Sequence, residues 1–126
     1  MANPDLIKSF RAESAIGARV FVKFGATDSV MTTATTANDL IVGVSEQIPA
    51  AVGQNVDVVL GGIADTVAGA AVIRGSFVTA DGSGRAITAA PATGINMRIA
   101  GVAMASATAA GDIIPVYLTQ GMIQGQ

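Results

Sequence analysis

The chain has 126 residues, a formal net charge of −2, 13% charged and 51% hydrophobic residues, and neither cysteine nor histidine. That length suits one domain that buries roughly two thirds of its unfolded surface, and the missing residue types exclude disulfides, thiolate metal sites and Ser-His-Asp or Cys-His relays. With only Phe10, Phe21, Phe24, Phe77 and Tyr117 as aromatics, the surface is rich in Ala, Thr, Ser and Gly, costs little to desolvate and suits contact with neighbours in an assembly.

Residues 1–16 place Leu6, Ile7, Phe10 and Ile16 among Lys8, Arg11 and Glu13. They read as an N-terminal arm, either a short helix or an extended segment. An arm with this much apolar surface either packs on its own domain or reaches a neighbour. From Ala18 the period is two: Val20, Val22 and Phe24 share one face, and Arg19, Phe21 and Lys23 share a wetter one. A turn at 25–29 leads to a Thr-rich strand near 30–35. After the break at Ala37-Asn38-Asp39, residues 40–44 form a strand apolar on both sides. Beyond a loop at 49–54, Val56, Val58 and Leu60 alternate with Asp57 and Val59, and Gly61-Gly62 predicts a tight reversal into 63–67.

The second half runs in the same order: a strand at 76–80, a turn at Asp81-Gly82-Ser83-Gly84, and strands at 85–88, 97–104 and 113–118. Pro115 cannot donate to a ladder, so the last strand is expected at an edge or a bulge. Helix is limited to single turns near the N-terminus and at 105–110. About ten short strands separated by Gly-rich turns predict an all-β sandwich or barrel.

The two halves match. A shift of 58 positions lays Gly17 on Gly75, Val20 on Val78, Ile41 on Ile99, Gly43 on Gly101, Val44 on Val102, Gly53 on Gly111, Val58 on Val116 and Leu60 on Leu118. Glycines and β-branched residues recur whereas charges do not, which marks duplicated architecture over 17–68 and 75–126 in a single domain spanning 17–126, without duplicated chemistry.

No constellation carries catalysis. Asp57, Asp65, Asp81 and Asp112 stand at turns or strand ends with no pairing by spacing, and Asp28, Asp39 and Asp81 have no calcium-loop spacing. The Gly-x-Gly at 82–84 lacks the third glycine and following helix of a phosphate cradle, so a hairpin loop accounts for it. The chain is therefore expected to be no enzyme and to hold no cofactor and no metal. Residues 1–23 carry Lys8, Arg11, Arg19 and Lys23 against Asp5 and Glu13, while the remainder is acidic. That patch is too weak to track a nucleic acid, and protein contact is the better reading. No stretch is long and apolar enough to cross a bilayer as a helix, and the N-terminus lacks the pattern of a signal peptide, so synthesis and retention in a cytoplasm are expected.

Lys23-Phe24-Gly25, the strand Ile41-Val42-Gly43-Val44, the run from Val56 to Ala64, Gly111-Asp112-Ile113-Ile114-Pro115-Val116 and the terminal Ile123-Gln124-Gly125 together resemble the small capsid decoration, or cement, proteins of tailed bacteriophages. The resemblance extends over nearly the whole chain from about residue 5. It implies a compact β-rich protein, made in the bacterial cytoplasm, that binds the outside of the expanded head and bridges major capsid protein subunits. It further implies a homo-oligomer, trimers being commoner than dimers, and no catalytic residues. The contact residues expected on this reading are Leu6, Ile7, Lys8, Phe10, Arg11, Arg19, Phe21, Lys23, Pro115 and Tyr117. The alternatives are a tail or fibre component, or a glycan- or host-attachment module, the latter disfavoured by the absence of Trp as a stacking platform.

Overall fold

The computed structural model describes residues 2–126. Nine strands form one sheet, and among the described residues there is no helix. In chain order they are β1 (Asn3–Ala12), β2 (Phe21–Phe24), β3 (Val30–Thr33), β4 (Gly43–Ser45), β5 (Asn55–Val67), β6 (Phe77–Ala80), β7 (Ala86–Thr88), β8 (Asn96–Ala103) and β9 (Ile113–Gln124). The all-β expectation holds.

The sheet order is β1-β3-β2-β4-β5-β9-β8-β6-β7, with an additional β1–β5 pairing. That extra pairing closes β1, β3, β2, β4 and β5 into a small ring. β1 runs antiparallel to β5 from Asn3↔Ile63 to Arg11↔Asn55, and its end lies parallel to β3 at Ala12↔Met31. The second half repeats the plan around β5, β9, β8, β6 and β7, and the parallel bridge Ala68↔Ala86 closes it where β5 ends. β5 therefore serves both rings. It closes the first and does for the second what β1 does for the first.

The registers fix the correspondence between repeats. Phe21↔Val44 and Val22↔Gly43 in the first match Phe77↔Val102 and Val78↔Gly101 in the second. Val78 thus corresponds to Val22, two positions on from the Val20 that a uniform shift selects, while Gly43 and Gly101 correspond as expected. The loop joining the third and fourth strands differs in length between the repeats, and one constant shift cannot absorb that difference.

Two expectations are corrected here. Gly61-Gly62 is not a reversal: β5 runs through it, because Val58 and Val59 pair with β4 whereas residues from Ile63 onward pair with β9. Gly62, at φ +84, is the point where β1 slips register between Pro4 and Ile7, and a Cβ there would meet the Asn3 carbonyl and Asp5 N–H at 2.6 Å. Pro115 is not on an edge strand, since β9 lies between β5 and β8. In an extended strand the N and C=O of one residue point the same way. The Pro115 carbonyl accepts from Met104 N–H, one residue past the end of β8, so the missing donor falls where that ladder has already stopped.

The core divides with the repeats. Phe10, Ile16, Val22, Met31, Val56 and Val58 fill the first ring. A second cluster joins alanines of the second repeat, among them Ala68, Ala80, Ala86 and Ala100, to Phe21, Val44 and Val59 of the first. Phe21, Val44 and Val59 of one repeat thus pack among the alanines and aliphatic side chains, such as Val78, Ile114 and Val116, of the other, and that burial locks the two rings together.

Candidate binding surface

The expected contact residues fall into three groups. Leu6, Ile7, Lys8 and Arg11 lie exposed along β1. Here residues 3–12 are neither helix nor free arm, but a strand zipped to β5. Lys8 Nζ stands 5.6 Å from the centre of the Phe10 ring, and Phe10 meets Phe24 edge to face at 6.4 Å. Phe10 is buried, but Phe24 is half exposed and, with residues 25–29, lines a shallow depression of about 500 Å³.

Phe21 leaves the candidate surface. It is completely buried. Alternation correctly put it on the face of β2 opposite Val20 and Val22, yet that face meets the second ring and not water, since Phe21 shares a buried cluster with Ala80, Ala86 and Ala100; in the plane of the sheet its N–H donates to the Gly84 carbonyl at 2.8 Å. Arg19 and Lys23 sit at the margin of this seam, half-buried. Arg19 contacts Gln47 at 3.3 Å, and its backbone lies at φ +56, a left-handed conformation taken in the second repeat by Gly75. Lys23 pairs with Asp39 at 3.1 Å. Partial burial pushes the Asp39 carboxyl up, but N–H groups of Thr35 and Thr36 together with the Lys23 ammonium outweigh it and hold it below the ordinary range.

On β9 Tyr117 is 50% exposed, and Pro115 is half-buried two residues before it. Sequence reasoning missed their neighbours. Phe77, 44% exposed, stands opposite Val102; Val102 stands opposite Tyr117, and Tyr117 opposite Ile63. One face thus presents a continuous apolar row across four strands. The signal for it was the repeat itself, since its counterpart Phe21-Val44-Val59-Ile7 runs across the first ring.

The carboxylates act as loop fasteners. Asp81 accepts from Ser83 N–H at 2.8 Å and Arg85 N–H at 2.9 Å, and pairs with Arg85 Nε at 3.1 Å, shaping the loop whose Gly84 carbonyl receives Phe21. The N–H and hydroxyl of Thr108 and the N–H of Ala109 donate to Asp112, which lowers its pKa. Among the described residues no group of three His, Cys, Asp or Glu side chains is placed to hold a metal.

A small double-ring β scaffold whose polar groups fasten its own loops and which leaves Leu6, Ile7, Phe24, Phe77 and Tyr117 exposed outside its buried core is suited to contact. The profile of phage cement proteins matches residues 4–118. The chain belongs to the phage cement protein family. It is a structural protein of the phage virion. Its fold is similar to that of the N base of the head fibre protein gp8.5 of bacteriophage phi29, with a TM-score of 0.67 at 16% identity over 90% of this chain and 93% of that one. No curated protein matches it in sequence.

Proposed function

We propose that this cement-family chain binds the outer surface of the expanded phage head as a homo-oligomer and clamps neighbouring major capsid protein subunits, without catalytic activity. The carrying observation is family membership over residues 4–118. The surface supports it: Leu6, Ile7 and Phe24 are exposed apolar side chains, with the exposed cations Lys8 and Arg11 on the same strand as Leu6 and Ile7 and the Glu13 and Asp28 carboxylates beside residues 24–28, a mixture of apolar anchors and charge suited to docking on a protein surface. A ligand that binds only the expanded lattice stabilises that lattice by mass action. An oligomer engaging several capsid subunits gains avidity beyond each modest contact.

The test is cosedimentation of the purified protein with expanded and unexpanded heads lacking it, followed by heating. Binding to expanded heads with a raised rupture temperature supports the reading; binding to neither overturns it. The likeness to a head-fibre base favours a second reading, in which the chain seats on the head and carries a further projecting protein. That reading requires a second virion protein to be retained on decorated heads and lost when this chain is absent.

A further inference from the structure

β5 carries β9 along one ladder and β1 along another, and the two are supported differently. On the β9 side Ala64 pairs with Val116 and Thr66 with Ile114, and all four residues are buried. On the β1 side Asn3 to Ser9 are all exposed, and burial begins only at Phe10 and Ala12. Even Leu6 and Ile7 remain 57% and 44% exposed. Residues 3–9 are therefore held by main-chain bonds with little apolar burial beneath them.

The outer part of that ladder is also irregular. It slips register between Pro4 and Leu6 and again between Leu6 and Ile7. Pro4 brings no N–H, and the residues opposite Pro4 and Leu6 are Gly62 and Gly61, which offer no cross-strand side chain to pack on. What the segment does hold is Ile7 opposite buried Val59, and the Lys8 ammonium 5.6 Å from the centre of the Phe10 ring. From Phe10 onward the chain is pinned. Phe10 and Ala12 lie in the core of the first ring, Ala12 N–H donates to the Gln54 carbonyl at 2.9 Å, and Arg11 N–H donates to the Ser29 carbonyl at 3.1 Å.

We infer that residues 3–9 form a strap that peels from β5 about the Ser9-Phe10 link while both rings stay folded. Opening bares the β5 edge from Val58 to Ile63 and releases Leu6 and Ile7 together. The segment is thus a strand in the closed state and an arm in the open one. This does not depend on capsid binding.

Hydrogen exchange of the unaltered protein, followed amide by amide, tests the strap through the alternation of its ladder. Arg11 points its N–H at Ser29 and Ala12 at Gln54, so Lys8, Phe10 and Ala12 face β5 over a stretch without a register shift. On β5 the Asp57 carbonyl accepts from Glu46 N–H at 2.9 Å, on the β4 side. Val58 therefore faces β1 and Val59 faces β4. The Lys8 and Val58 amides are expected to exchange at a common opening free energy, about tenfold or more faster than those of Ala12 and Val59 after correction for intrinsic rates, as for a local opening. Their exchange should also respond weakly to low urea, because peeling a strap exposes little surface. A Val58 amide within that factor of Val59, or one that rises as steeply with urea, means that β1 opens only with the whole fold and overturns the inference.

Discussion

Phe21 and Phe77 hold equivalent positions in the two repeats, each opposite the valine that follows a strand glycine, Val44 or Val102, yet the first is wholly buried and the second 44% exposed. Truncating them should therefore have unequal effects. Phe21→Ala removes a core ring from the seam and is expected to lower unfolding free energy by about 3–5 kcal/mol. Phe77→Ala should cost the isolated chain about 1 kcal/mol or less. Urea unfolding of both variants, under conditions where the protein is dilute enough to be monomeric, checks the difference.

Gly43 and Gly101 are held by the same close approach. A Cβ on Gly43 would collide with the Val59 carbonyl oxygen, and one on Gly101 with the Tyr117 carbonyl oxygen. Backbone cannot swing aside as a flexible side chain can. Gly43→Ala and Gly101→Ala are each expected to cost about 3 kcal/mol or more, at the upper end of the overpacking range. By contrast, Gly82→Ala, where a Cβ meets open space, should leave the melting temperature within about 2 °C.

Arg19 at φ +56 and Gly75 at φ +93 occupy matching turns. The left-handed conformation costs a non-glycine residue about 1–2 kcal/mol, and a new glycine gives back about 0.5–1 kcal/mol through unfolded-chain entropy. Arg19→Gly should accordingly be neutral or raise stability by up to about 1 kcal/mol. Gly75→Ala, with no steric neighbour but the same strained backbone, should lose about 1 kcal/mol. Thermal melts of the two variants should move in these senses.

Asp39 and Asp112 both titrate below the ordinary carboxylate value of 3.8 in the folded chain. A depressed folded pKa adds stability above the unfolded pKa, and that increment is lost as pH falls through the folded one. The melting temperature should be insensitive to these groups near neutrality and decline below about pH 4. In Asp39→Asn the acid limb of the curve should be shallower, since one of the groups that gains protons on unfolding is gone.

The class of fold was legible because strand alternation and glycine-rich turns are local signals. Side-chain pattern alone predicts strands at 56–60 and 113–118, and both belong to longer strands of the sheet. What failed was non-local. Nothing near Phe21 says that a second ring covers its face, and nothing in Gly61-Gly62 says whether the chain turns back or slips register. Those outcomes are set by the pairings of β5 with β1 and β9. Pro115 misled for a related reason: a missing N–H marks an edge only when a neighbouring strand extends far enough to need it. On the candidate surface, Leu6, Ile7 and Tyr117 were legible as exposed apolar residues, whereas Phe77 emerged only once the correct correspondence with Phe21 was fixed.

A density map of heads decorated with this protein tests the central claim most directly. It should show copies on the outer surface of the expanded shell, each touching more than one major capsid subunit. Density confined to the tail, or copies that each rest on a single capsid subunit, would contradict the account.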